Sequence, residues 1–151
     1  MTTKNEAALA ALCHMTAAAG IGVTAMLFFQ LALPFIGANL IGPGIIWLAN
    51  KNKSDFIELH GREALNFQLT VLLASMSFIG LMVWLSRIAG DAHHLQALVF
   101  LIFGVLCMSV LASVLVTFLA TLNAFRQKPF CYLARIPFIK PPAQKNRLSE
   151  D

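Results

Sequence analysis

The composition of this 151-residue chain is that of a membrane protein. Charged residues make up 12% of it and hydrophobic residues 58%, whereas soluble domains are roughly 25% charged. An ordinary soluble domain is therefore excluded, and the net charge of +4 is better explained by membrane topology and anionic lipid than by nucleic acid. We expect a single all-α domain whose first partner is membrane lipid and which binds no nucleic acid.

Four apolar blocks predict a bundle of four transmembrane helices. Residues 9–33, 65–86 and 95–125 carry no formal charge, and each exceeds the ~20 residues that a bilayer core requires. Residues 35–50 form a shorter block, about 24 Å long as a helix. We place the spans at about 8–33, 35–50, 62–87 and 95–125, within a single domain over 1–140. We expect residues 141–151 to be a disordered cytoplasmic tail.

The short second block contains residues that interrupt helices. Asn39 is followed by Gly42, Pro43 and Gly44, and proline removes a backbone donor and clashes with the preceding turn. We therefore predict that the second span is broken at Gly42–Gly44. The sequence leaves open whether this block crosses the membrane or forms a re-entrant hairpin. A broken helix is either a tight corner in a small bundle or, as in transporters, part of a binding site.

The basic residues predict the orientation. If residues 35–50 cross the membrane, ten of the 11 Lys and Arg residues fall on one side and Arg87 alone on the other. Such an excess of positive charge marks the cytoplasmic side. We predict a multi-pass protein of the bacterial inner (plasma) membrane with both termini in the cytoplasm.

The start of the third helix carries a polar cluster. Asp55 and Glu58 have the spacing of a capping box, which predicts a helix beginning near Phe56. Its first turns then lie at the cytoplasmic interface and carry the candidate interaction residues, which are His60, Arg62, Glu63, Asn66 and Gln68. We expect the cluster to stabilise the bundle and to offer a contact surface. His60 with Glu63 as an acid–base pair is a weaker reading, because no nucleophile stands at a recognised spacing.

Small residues indicate which helix faces point inward. Stripes at steps of four run through the first span at Ala10, His14, Ala18 and Gly22, and through the last span at Ser109, Ser113, Thr117 and Thr121. Such faces let helices approach closely, so His14 should face protein. His14 and His60 would both lie toward the cytoplasmic side, which raises axial ligation of a haem as an alternative. A histidine hydrogen-bonded between helices is commoner, and we expect no cofactor and no metal.

The segment after the last span changes character. Prolines at 129, 137, 141 and 142 alternate with aromatic and basic residues up to Lys140. This mixture suits the headgroup layer, so we expect the segment to lie along the membrane surface. Docking of a partner protein is the alternative.

The window over residues 42–68, GPGIIWLANKNKSDFIELHGREALNFQ, resembles a known pattern. It is similar to domain-of-unknown-function family 4870, small bacterial multi-pass membrane proteins similar in fold to the twenty-kilodalton chloroplast import translocon subunit. The matching positions in this window are Gly42, Pro43, Trp47, Lys51, Ser54, His60, Gly61, Glu63, Ala64, Asn66, Phe67 and Gln68. His14 and the segment Tyr132–Ile139 also look like the opening histidine and the closing aromatic-proline segment of that family, so the resemblance covers most of the chain. The resemblance implies a four-span fold and a membrane location, and little chemistry.

These observations favour a non-enzymatic accessory, assembly or interaction subunit that associates with itself or with a larger membrane complex. The alternative is a channel-like translocation or transport module for a protein or a small solute, suggested by the predicted break and by the import-channel resemblance. A haem-binding or enzymatic membrane protein ranks below both.

Overall fold

A computed structural model of the chain describes residues 3–31, 37–88 and 92–141. Over these residues it is all-helical, with α1 at Lys4–Leu31, α2 at Ala38–Asn50, α3 at Asp55–Ile88 and α4 at Ala92–Phe125. Three helices, α1, α3 and α4, are long and apolar enough to cross a membrane. The predicted all-α membrane bundle of four helices is therefore confirmed. The tail predicted to be disordered falls, from residue 142 onward, outside the described residues.

Helix α2 is continuous, so the predicted break at Gly42–Gly44 is wrong. Pro43 lies inside the helix as the sixth of its 13 residues, and the one backbone bond it removes, to the Asn39 carbonyl, does not interrupt the helix. The backbone departs from helical geometry earlier, at the cap residue Gly37, where φ is 116°. A positive φ of this kind favours glycine.

Two glycines bring α2 against α1. A Cβ atom on Gly20 would lie 2.4 Å from the Cα of Asn39, and one on Gly42 would lie 2.4 Å from the Cβ of Thr16. The two helices are thus antiparallel, and the start of α2 lies level with the middle of α1. At 13 residues, α2 is about 20 Å long, shorter than the roughly 30 Å hydrocarbon core. Whether it crosses the membrane stays a prediction.

The helix starts are fixed by caps, and the cap of α3 lies one residue before the expected one. Helix α3 begins at Asp55 with Ser54 before it, and the Ile57 N–H points to Ser54 Oγ at 3.5 Å. Ser54 rather than Asp55 is thus the cap. A full capping box stands on α1 instead, where Thr3 N–H donates to Glu6 Oε2 (2.7 Å) and Glu6 N–H donates to Thr3 Oγ1 (3.2 Å).

The start of α1 and the end of α4 lie at one end of the bundle. Ala10 and Ala11 of α1 pack with Ala124 of α4, and Phe56 at the start of α3 covers them. The α2–α3 turn lies at this same end. We call it the basic end, because it carries Lys51, Lys53, Arg126 and Lys128.

The inward faces follow the predicted stripes in part. Ser113, Thr117 and Thr121 of α4 are buried, whereas Ser109 is exposed. On α1 the buried face runs through Ala10, Cys13, His14, Ala17 and Gly20, and Gly22 is exposed. The buried positions of α1 repeat at steps of three and four, as a helix of 3.6 residues per turn requires, so a strict step of four drifts off the face.

The end of α4 turns the chain back along the bundle. Gln127 N–H donates to the Ala124 carbonyl (3.0 Å), and Lys128 N–H donates to the Asn123 carbonyl (2.9 Å). With Gln127 at φ 56°, these bonds form a Schellman motif, which commonly ends helices. Residues 129–141, here called the strap, then run beside α3.

Candidate functional site

The polar face of α3 holds the strap by its backbone. Asn66 makes two bonds to Ile139, because its Nδ2 donates to the carbonyl (3.0 Å) and its Oδ1 accepts from the N–H (2.8 Å). One turn further along α3, Thr70 Oγ1 accepts from the Ile136 N–H at 2.8 Å. A backbone with no regular secondary structure of its own is thereby satisfied by helix side chains, as a buried backbone requires.

An ion pair adds to this attachment. Arg135 Nε lies 2.7 Å from Oε2 of Glu63, and the two side chains are 27% and 1% exposed. The same carboxylate oxygen accepts from the Tyr132 N–H at 3.3 Å. Glu63 therefore carries its charge in a buried position where both a guanidinium and a backbone N–H compensate it.

A chain of three buried rings links α1, α3 and the strap. Nε2 of His14 lies 2.9 Å from Nδ1 of His60, and Nδ1 of His14 lies 3.0 Å from the Tyr132 hydroxyl. All three groups can be neutral if the Tyr132 hydroxyl donates to His14 and His14 donates to His60. The proton of His60 is then on Nε2, which is buried without a partner at hydrogen-bond geometry and has the Lys128 backbone beside it.

Tyr132 is the centre of the packing around these three hydrogen-bonded rings. Its ring stacks on Phe67, with centroids 4.1 Å apart and planes 11° from parallel, and it contacts Ala120 of α4. Burial raises the pKa of the Tyr132 hydroxyl above its usual value. The hydroxyl therefore stays protonated, which lets it donate to His14.

The two histidines do not fit the haem alternative in this arrangement. Iron held between them would need about 2 Å to each nitrogen, on opposite sides of the metal. The facing nitrogens are instead hydrogen-bonded to each other, and the second nitrogen of His14 is occupied by Tyr132. Among the described residues, no group of three or more His, Cys, Asp and Glu side chains is placed to hold a metal ion.

The remaining predicted residues have separate roles. Gln68 Oε1 accepts from Asn39 Nδ2 at 2.6 Å, which ties α3 to α2. Arg62 pairs with Glu58 one turn away, at 3.4 Å, and the two side chains are 12% and 17% exposed. Gly61 allows close packing, since a Cβ there would lie 2.8 Å from the Trp47 side chain. The predicted cluster is thus divided between contacts with the strap, with α1, with α2 and within α3.

Sequence reasoning did not identify the strap side of the site. Tyr132, Arg135 and Thr70 were not singled out as functional residues, and Arg135 counted only as a basic residue of the tail. The nearest signal is the alternation of aromatic and basic residues between Phe130 and Phe138. That pattern indicates an interface without naming the helix that the segment contacts.

Comparison with known families identifies the group to which the chain is related. The profile of the magnetosome magnetite crystal formation protein family, MamF/MmsF, matches residues 5–139. The chain belongs to this family. Searches of the curated proteins and of the solved structures find no match.

The assignment to domain-of-unknown-function family 4870 is therefore wrong. The residues that carried that resemblance, from His14 to Ile139, all lie within the span that the MamF/MmsF profile matches. The likeness to an import-channel subunit came with the discarded family, and α2 is continuous. Both observations behind the transport alternative are thus removed.

Proposed function

We propose that this MamF/MmsF family member is a non-enzymatic accessory subunit of the magnetosome membrane that takes part in magnetite crystal formation. The supporting observation is the Glu63–Arg135 pair with its neighbouring bonds. In these bonds the buried polar groups of the site hold one segment of the chain in place. A site built in this way presents a surface. It differs from a catalytic site, where polar groups face a substrate.

The surface so presented is the outer side of the strap. Leu133 and Phe138 are exposed, as is Lys140. We propose that these residues face the surrounding membrane, in which the chain associates with itself or joins a larger complex. The basic end then faces the cytoplasm, with both termini on that side of a membrane derived from the inner membrane.

The test is deletion of the gene in a magnetite-forming bacterium, followed by complementation with the wild-type chain. An accessory role in crystal formation predicts altered size or number of crystals in electron micrographs while total cellular iron is unchanged. Crystals of normal size and number in the deletion strain would contradict the proposal. A matching fall in cellular iron would instead favour a transport role.

A further inference from the structure

The strap reaches deep along the bundle. Ile136 is bonded to Thr70, which lies about 22 Å along α3 from its first residue, Asp55. Thr70 is inside the charge-free part of α3 that begins at Leu65. The chain then returns, since Ile139 is bonded to Asn66, one turn nearer the basic end. The strap is thus a hairpin whose tip lies level with the membrane-spanning part of α3.

Its two sides have the chemistry that such a depth requires. On the inner side, the N–H groups of Tyr132, Ile136 and Ile139 are all bonded to α3 side chains, and backbone groups in lipid need partners of this kind. On the outer side, Leu133, Ile136 and Phe138 are 104%, 45% and 47% exposed. These outward apolar side chains suit acyl chains.

Basic residues stand at both ends of the hairpin. Lys128 precedes the strap and Lys140 lies near its end, and both are exposed. Lys51 and Lys53 of the neighbouring turn lie at the same end of the bundle, where Lys51 sits 4.9 Å from the centre of the Trp47 ring. Cations beside apolar and aromatic groups are the chemistry that binds anionic headgroups.

We infer that the strap is a membrane-inserting hairpin that selects anionic phospholipid. Its apolar tip enters the acyl region beside α3, and Lys128 and Lys140 bind the phosphate groups of the cytoplasmic leaflet. The inference concerns lipid contact, so its test is independent of whether the chain acts in crystal formation.

The depth of the strap in the bilayer is tested with the full chain in vesicles of phosphatidylcholine and phosphatidylglycerol. A fluorophore is attached at Leu133→Cys in a background of Cys107→Ser and Cys131→Ser, and the reference site is Lys53→Cys in the α2–α3 turn. We expect acyl-chain bromine to quench the Leu133 site and aqueous iodide to quench the Lys53 site. Equal iodide quenching at both sites would overturn the inference. So would shielding of the Leu133 site from both quenchers, because protein would then cover the strap.

Lipid selection is tested by the amount of phosphatidylglycerol that co-purifies with the chain from mixed vesicles. The double variant Lys128→Gln and Lys140→Gln should lose about fivefold in preference per residue. The matched control, Lys128→Arg and Lys140→Arg, keeps both charges and should keep the preference. An unchanged preference in the glutamine variant, or an equal loss in the arginine control, would overturn the inference.

Discussion

Arg135 of the strap and Glu63 of α3 form an ion pair of 2.7 Å in which the carboxylate is 1% exposed. The pair joins the last described segment of the chain to the centre of the bundle. Because the same carboxylate accepts the Tyr132 N–H, it fixes both the side chain and the backbone of the strap. The position of the strap is therefore set by α3.

Replacing Glu63 by Gln should destabilise the protein. Gln can still accept from the Tyr132 N–H, but Arg135 loses its counter-charge, and removing one member of a buried pair is costly. Since Arg135 is partly exposed, we expect a loss of about 2 kcal/mol in the free energy of unfolding, measured by denaturant titration in detergent. Glu58→Gln is the control, because its pair with Arg62 is longer, at 3.4 Å, and joins two residues of the same helix, so its effect should stay under about 0.5 kcal/mol. Equal effects of the two substitutions would contradict the assignment.

Asn66→Ala should release the strap. The substitution removes both bonds to Ile139 and should cost about 1–3 kcal/mol at the strap. Trypsin reports the release, since Arg135 is a cleavable site within the strap, whereas Lys128 and Lys140 precede prolines. We expect cleavage after Arg135 to become about tenfold faster if it follows the population of the open form. Asn123→Ala removes only a bond within α4 and should leave the rate unchanged. Equally fast cleavage of the strap in both variants would show that Asn66 does not hold it on α3.

Tyr132→Phe should have a smaller effect than Tyr132→Ala. Phe keeps the stack on Phe67 but leaves Nδ1 of His14 without its partner, which should cost about 1–2 kcal/mol. Ala also removes the buried ring, and the total should reach about 3–5 kcal/mol. Thermal unfolding of the two variants in the same detergent checks the order. If the Tyr132→Phe variant were as stable as the wild type, the Tyr132–His14 bond would contribute nothing to stability.

Gly20→Ala should separate α1 from α2. The added methyl group would lie 2.4 Å from the backbone of Asn39, so α2 would have to move and the Asn39–Gln68 bond would be strained. Gly22→Ala is a close control, because nothing lies within 4 Å of a Cβ there, and it should be neutral or slightly stabilising. Cross-linking of cysteine pairs placed between α1 and α2 measures the separation. Unchanged cross-linking in Gly20→Ala would show that the helices are not in close contact.

The sequence predicted those features that depend on local pattern. Long charge-free runs predicted the helices, because a bilayer sets their minimum length. Proline chemistry misled the prediction for α2, because Pro43, the sixth of its 13 residues, removes one backbone bond without ending the helix. The cap of α3 was placed one residue late because Ser54 and Asp55 are both good cap residues.

The contacts of the site lay beyond local pattern. Tyr132 meets His14 across 118 positions, and Asn66 meets Ile139 across 73. No periodicity within a helix encodes such pairs. The aromatic and basic residues of the tail predict that it lies along the membrane surface, and this stays a prediction. Its inner side depends on backbone bonds to α3, which composition does not reveal.

We propose that the strap must be held on α3 for the protein to act in magnetite crystal formation. The most direct measurement is the size distribution of crystals, by electron microscopy, in cells of a magnetite-forming bacterium carrying Glu63→Gln with Asn66→Ala. We predict altered crystals while the chain remains in the membrane, and wild-type crystals in cells carrying Glu58→Gln with Asn123→Ala. Wild-type crystals in the first strain, with its strap shown by trypsin to be released, would contradict the claim.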